Sequence, residues 1–295
     1  MPQHVLVPID GSDHGFAGLE YSLASFPDAS LTALYVVDPA SDHDATVGAT
    51  ESPMERAEAH GEQVLDRAVD RASEHGRDLR TFLRTGAPHT EILAVAVERD
   101  VDGIVLGSHG ESPLTRPFLG HVSEAVVRRA PVPTTVVPET TAALEDRDLP
   151  GTILVPVDGS EQAEAALAYT LETFPDASHT AFHVLDLPFD RPRAAIEGTY
   201  LEDVLHDREE RAEAILESAA ALADELGATI ETESTSGKPS QAIVDYADAN
   251  GYDQIVMGGH GRSLAARLVT GSVAERVVRR SPRTVTLVRG TPASD

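Results

Sequence analysis

The chain repeats itself. His4–Asp38 (HVLVPIDGSDHGFAGLEYSLASFPDASLTALYVVD) aligns with Thr152–Asp186 (TILVPVDGSEQAEAALAYTLETFPDASHTAFHVLD) at an offset of 148. Asp102–Gly110 (DGIVLGSHG) aligns with Asp253–Gly261 (DQIVMGGHG) at an offset of 151, and Glu124–Val137 aligns with Glu275–Val288 at the same offset. A period of about 150 residues is the size of a domain and far longer than a solenoid unit. The 295 residues therefore read as two copies of one domain. Domain 1 spans 1–140 and domain 2 spans 151–290, with the Glu-, Thr- and Pro-rich stretch Pro138–Gly151 as linker.

Within each copy, short apolar runs alternate with helical patterns. In the first, the run VLVPI ends in Asp10-Gly11-Ser12, a turn followed by a helix cap, and a helix is expected to about Phe26. Strands are expected near Leu31–Val37, Leu79–Leu83, Gly103–Gly107 and Val132–Val137. A second helix opens within Thr50–Pro53 and runs to about Gly76. A third starts at Pro88 with Glu91 in its first turn, and a fourth spans about His121–Arg129. The second copy repeats this with a longer second helix, about Gly198–Leu226. Apolar strands alternating with helices imply an α/β fold, a parallel sheet covered on both faces. Ligands of such sheets bind beyond the carboxyl ends of the strands, where the winding reverses. Two glycine-bearing segments lie at such ends: Asp10–Ser12 with Gly107–Gly120, and Asp158–Ser160 with Gly258–Gly271.

The second copy carries the fuller chemistry. Gly258-Gly259-His260-Gly261 is followed by nine residues and then Gly271-Ser272-Val273. Glycines so spaced let backbone amides approach a ligand closely. Gly271-Ser272 opens a helix, whose N-terminus offers unpaired N–H groups and partial positive charge to a phosphate. Ser272 can add a hydroxyl donor, and Arg262 and Arg267 can add charge. Each residue also has a plainer reading. Asp10 and Asp158 suit a turn, the glycines suit close packing, and Ser272 suits a helix cap. His109 and His260 read as polar loop residues. The charged helices Met54–His75 and Glu202–Glu225 read as solvated faces.

The pattern G-2x-G-9x-G-[ST], together with the opening V-P-x-D-G-S, resembles the universal stress protein family, and the resemblance covers both copies. It implies two tandem Rossmann-like open parallel sheets of the adenine nucleotide alpha hydrolase-like type, with strand order 3-2-1-4-5. It also implies ATP or another adenine nucleotide between strands one and four, and pairing of the two domains within the chain through their fifth strands. Carried over by position, Asp158 lies beside the adenosine, Pro156 lines the same pocket, and Val184 meets adenine through its backbone. Gly258, Gly261, Gly271, Ser272 and Val273 form the phosphate and ribose loop. Arg262 sits within that loop. The matching first-copy residues are Pro8, Asp10, Val36, Gly107, Gly110, Gly120 and Val122.

The first copy departs from the pattern. His121 stands where the second has Ser272, and Glu111 where it has Arg262. A carboxylate near a phosphate tail costs about 1 kcal/mol or more at a partly exposed position. Tighter binding is therefore expected in the second copy. Protonation of His121, or substitution by Ser123 one turn along, would offset the difference.

Charge and missing residue types exclude other functions. Asp and Glu number 49 against 23 Lys and Arg, for a formal charge of -26, and every basic residue but Lys238 is arginine. Such a surface repels nucleic acid and anionic lipid. Its self-repulsion is screened at about 1 M salt, where the Debye length is about 3 Å. The composition resembles that of proteins from salt-loaded cytoplasms; an acidic mesophilic protein from a GC-rich genome is the alternative. Absence of cysteine rules out disulfides, thiol catalysis and thiolate zinc. No apolar run approaches the roughly 18 residues of a membrane span. Nor does the N-terminus read as a signal peptide, so a cytoplasmic location is expected. There is no G-x-x-x-x-G-K-[ST], G-x-G-x-x-G or G-x-S-x-G. Lys238 precedes Pro239 at a helix start. No histidine spacing marks a metal site, so a divalent ion such as Mg would arrive on the nucleotide's phosphates. Two rival readings stay open: a slow ATPase, for which no base can be named, and a nucleotide-free scaffold. The sequence also leaves open whether whole chains form a homodimer.

Overall fold

A computed structural model describes residues 2–40, 52–108, 119–138, 144, 149–187, 198–259 and 272–289. The chain divides into two compact units, Met1–Leu149 and Pro150–Asp295.

In the first unit the elements run β1 (His4–Pro8), α1 (Asp13–Ser25), β2 (Ser30–Val37), α2 (Pro53–Glu74), β3 (Leu79–Thr85), α3 (Pro88–Glu98), β4 (Gly103–Gly107), α4 (His121–Arg129) and β5 (Thr134–Val137). All the strand pairs are parallel, in the order β3-β2-β1-β4-β5. The second unit repeats the pattern: β6 (Thr152–Pro156), α5 (Glu161–Thr173), β7 (Ser178–Leu185), α6 (Tyr200–Glu225), β8 (Glu231–Ser236), α7 (Pro239–Ala249), β9 (Gln254–Gly258), α8 (Ser272–Arg280) and β10 (Thr284–Val288). Its parallel order is β8-β7-β6-β9-β10. Each sheet has the expected 3-2-1-4-5 arrangement. The central strands are buried on both faces, which is why they read as unbroken apolar runs: Val5, Leu6 and Val7 in β1, and Ile153, Leu154 and Val155 in β6, are at most 1% exposed.

Local chemistry sets the helix starts. Ser12 and Ser160 accept from the amides of Gly15 (3.1 Å) and Ala163 (3.3 Å), capping α1 and α5. Ser52 and Glu55 form a reciprocal capping box before Pro53, which sets the start of α2 at the end of its expected window. The backbone N–H of Ser52 also holds the Glu55 carboxyl below its ordinary pKa. Two strand ends differ from expectation. β3 continues to Thr85 because β2 offers partners as far as Val37. β5 starts at Thr134 rather than Val132, because Pro133 has no N–H to give a ladder.

One feature recurs in both units without having been anticipated. The Asp102 carboxylate accepts from the amides of Gln3 (2.7 Å) and His4 (2.9 Å), tying the start of β4 to the start of β1. Asp253 does the same for Gly151 and Thr152 in the second unit. Other contacts belong to one unit alone. Glu20, nearly buried on α1, holds Arg71 of α2 (2.6 Å) and the cap residue His75 just after it (3.0 Å), and Ala168 occupies its place in the second unit. No helix among the described residues is long and apolar enough to cross a membrane.

One buried group is expected to make the second unit acid-sensitive. His179 of β7 is 5% exposed and its Nε2 has no hydrogen-bond partner. Burial pushes its pKa below the ordinary value, against a smaller opposing contribution from a backbone hydrogen bond at Phe174. The folded imidazole therefore stays neutral at pH values where the unfolded one takes a proton. Stability is unaffected above the unfolded pKa, about 6.5, and falls as pH drops below it. His179→Leu, the residue found at the matching Leu31, is expected to abolish this part of the acid loss. Urea unfolding of both proteins at pH 5 and pH 7.5 checks it; an equal pH difference in the two would refute it.

Candidate nucleotide site

At the carboxyl end of the second sheet lies a cleft of about 220 Å³. Six of the second-copy residues singled out in the sequence line it together: Pro156 at the end of β6, Asp158 in the following turn, Val184 on β7, Gly258 at the end of β9, and Ser272 and Val273 in the first turn of α8. The strands β6 and β9, whose ends flank it, are paired neighbours through Ile153–Leu154 and Gln254–Ile255, and the connections after them run to opposite sides of β6 in the strand order. This is the place where an open sheet splits to admit a ligand. Gly261, Arg262 and Gly271, with His260 and Arg267, lie outside the described residues, as do His109, Gly110 and Glu111 of the first copy.

The cleft has two kinds of wall. Val184, Pro239, Ile243 and Met257 supply apolar surface, with the fully buried Phe182 behind it. Phe182 is itself backed by Tyr246, stacked at 4.3 Å between ring centroids. Asp158, Ser160, Ser272 and the start of α8 supply polar surface. The exposed Asp158 carboxylate accepts from the amide (3.0 Å) and hydroxyl (2.5 Å) of Ser160 through one oxygen. It thus shapes the turn while lining the cleft. Asp10 accepts in the same way from the amide and hydroxyl of Ser12. The turn reading and the ligand reading of these aspartates are compatible.

Gly258 also has a packing reason to be glycine. A Cβ there would meet the backbone oxygen of Gln162 on α5 at 2.8 Å. At the matching Gly107 a Cβ would collide with the His14 carbonyl oxygen on α1. In both units this first glycine of the motif lets a helix backbone lie against the sheet.

Among the other first-copy residues, Pro8, Val36 and Gly120 are half-buried, and Val122 packs against the aliphatic core. His121 is exposed at the start of α4. Ser123 does not replace the missing Ser272 hydroxyl: it is buried and donates to the Gly107 carbonyl at 2.8 Å. Its counterpart in the second copy is Ala274, which lines the cleft. The amide of Gly120 is likewise committed, donating to Ser108. Lys238 is exposed as the cap residue before Pro239, as its position in the sequence suggested.

Phe182, His183, Pro239, Ile243 and Met257 were missed in the sequence. Only comparison of matched positions could have flagged two of them, since the first copy has Leu34 and Tyr35 where the second has Phe182 and His183.

An open parallel α/β sheet with strand order 3-2-1-4-5 defines a doubly wound α/β domain, here present twice. The model of the universal stress protein family matches residues 1–138 and again 151–289, and the chain belongs to that family. A universal stress protein of Mycolicibacterium smegmatis is 27% identical over 97% of this chain and 96% of its own length. One from Methanocaldococcus jannaschii is 32% identical over 45% of this chain and 80% of its own. The crystal structure of a universal stress protein from Archaeoglobus fulgidus, 22% identical, matches 97% of this chain and 98% of its own with a TM-score of 0.69, and shares the fold.

Proposed function

We propose that this universal stress protein is an adenine-nucleotide-binding regulatory protein of the stress response, and that it takes ATP more tightly in its second half than in its first. The observation that carries the reading is the second-half cleft, in which an apolar wall faces a polar one. Val184, Pro239 and Ile243, backed by the buried Phe182, suit a flat purine, whose faces gain from apolar contact. Asp158 suits ribose hydroxyls as an acceptor. Ser272 and the start of the nine-residue helix α8 suit the phosphates. Gly261, Arg262 and Gly271 would complete the phosphate loop. A divalent ion such as Mg would come bound to those phosphates; among the described residues no group of three or more His, Asp or Glu side chains is placed to hold one.

Weaker binding in the first half is supported by His121 in place of Ser272, Glu111 in place of Arg262, and the Ser123 hydroxyl engaged by Gly107. Pairing of the two halves through their fifth strands and a cytoplasmic, salt-adapted setting belong to the same proposal. They rest on the family resemblance and the composition.

Calorimetric titration of ATP-Mg into nucleotide-stripped protein at high salt tests the reading. One site is expected. Two equal sites would overturn the asymmetry. No heat from a folded protein would overturn nucleotide binding and leave a scaffold. Steady turnover lost in Asp158→Ala would make the protein a slow ATPase.

A further inference from the structure

The outer strands of the two units carry opposite charge at matched positions. Within its unit each is paired on one side, β3 with β2 and β8 with β7. Arg80, Phe82 and Arg84 stand opposite Thr32, Leu34 and Val36, and Glu231, Glu233 and Thr235 stand opposite the matching Thr180, Phe182 and Val184. Alternate residues share one face of a strand, so each set of three lies together. Arg99, the cap residue after α3, adds a guanidinium to the first face, lying over the Phe82 ring at 4.1 Å. Glu98 pairs with Arg84 at 2.6 Å, which leaves this face with more cations than anions. On the second face Ala249 and Asn250 stand where the first has Glu98 and Arg99. Burial raises the Tyr246 phenol above its ordinary pKa, and the charges of Glu233 and Glu231 raise it further, which puts both carboxylates on the α7 side of β8. Arg80, Glu231 and Glu233 are exposed.

A charged outer strand ordinarily keeps a sheet from joining another. Here the exclusion is selective. β3 against β3 would bring arginines together, and β8 against β8 would bring glutamates together. β3 against β8 brings unlike charges together. Both members of that pair are encoded in one chain, so every copy carries both in equal number. We infer that β3 of one copy docks against β8 of a second copy, with Arg80, Arg84 and Arg99 facing Glu231 and Glu233. Such a contact is heterologous, so copies join head to tail in a ring or an open row. The net charge of -26 repels approaching copies over the Debye length, about 10 Å at 0.1 M salt, while charges brought into contact are screened less.

Sedimentation equilibrium of the full chain tests this, starting at the lowest salt at which a melting curve shows it folded and continuing through a series of rising salt. Wild type is expected to gain mean mass as its concentration rises, and to gain less as salt is added. Arg80→Glu with Arg84→Glu, and Glu231→Arg with Glu233→Arg, should each weaken association by about tenfold or more. An equimolar mixture of these two double variants should recover it, because β3 of each again differs in sign from β8 of the other. A chain carrying all four changes should recover it as well. Melting curves separate lost charge from lost fold, and Arg80→Glu with Glu231→Arg, both at exposed side chains, repeats the exchange where a double variant does not fold. A wild type that stays monomeric would overturn the inference. Association undiminished in both double variants would place the contact elsewhere on the surface and overturn it too. Loss without recovery, in the mixture and in the chain with all four changes, would mean that the two faces do not meet, and would overturn it equally.

Discussion

Ser272→Asp is expected to weaken ATP binding by about tenfold or more without lowering the melting temperature. Ser272 is exposed, is the first residue of α8 and lines the cleft. For the helix alone an aspartate there is favourable by about 0.3–1 kcal/mol, since its charge faces the positive end of the helix dipole. For a phosphate arriving at the same end, that charge is repulsive. Two like charges about 4 Å apart interact by about 4 kcal/mol at an effective dielectric of 20. A third of that, left after screening by salt, still amounts to about a factor of ten. The opposite signs of the two effects separate binding from folding. Unchanged affinity would mean that the phosphates do not sit at α8. Weak binding together with a lowered melting temperature would mean that the variant had damaged the fold instead.

Gly258→Ala and Gly107→Ala should each destabilise the protein by about 1–3 kcal/mol, the usual range for forcing an extra carbon into a packed interior. The obstacle is backbone in both cases, Gln162 on α5 and His14 on α1, so no side chain can swing away to make room. Gly103 is the internal control. It also sits in β4, but the nearest atom to an added Cβ is the Pro133 oxygen at 3.7 Å, an ordinary contact. Gly103→Ala should therefore stay within about 0.5 kcal/mol of wild type. Urea unfolding of the three variants decides it. If Gly258→Ala and Gly103→Ala cost the same, close helix–sheet approach is not what reserves position 258 for glycine.

Much of the fold was legible because its signals are local. Apolar runs bounded by Asp-Gly-Ser turns, Ser52 and Pro53 at the start of α2, and Pro88 at the start of α3 each carry their own reason for being where they are. Internal duplication then doubled every observation. The site was legible in part. Asp158, Gly258 and Ser272 stand in a spaced pattern, whereas Pro239, Ile243 and Met257 reach the cleft from α7 and β9 only after the sheet has formed. In the sequence they look like any core residue. Two roles were also finer than their motif suggested. Gly107 and Gly258 each accommodate a helix, Gly258 while lining the cleft, and Asp10 and Asp158 brace the turn in which they sit. Ser123 looked like a spare hydroxyl for the first half, and only its short bond to Gly107 shows it to be spent on the backbone.

Each unit has its own five parallel strands, its own aspartate clamp and its own helix caps, yet the clusters that pack on them differ. Glu20 with Arg71 and His75 has no equivalent in the second unit, and Phe182 with Tyr246 has none in the first. That arrangement has an evolutionary consequence. Where a protein is assembled from identical single-domain copies, a substitution in the gene alters every domain alike, and a harmful one has no intact sister to compensate for it. Two domains encoded in one reading frame are made in a fixed one-to-one ratio but mutate separately. One half can then lose or change a ligand while the other keeps it, and selection can act on the difference between them.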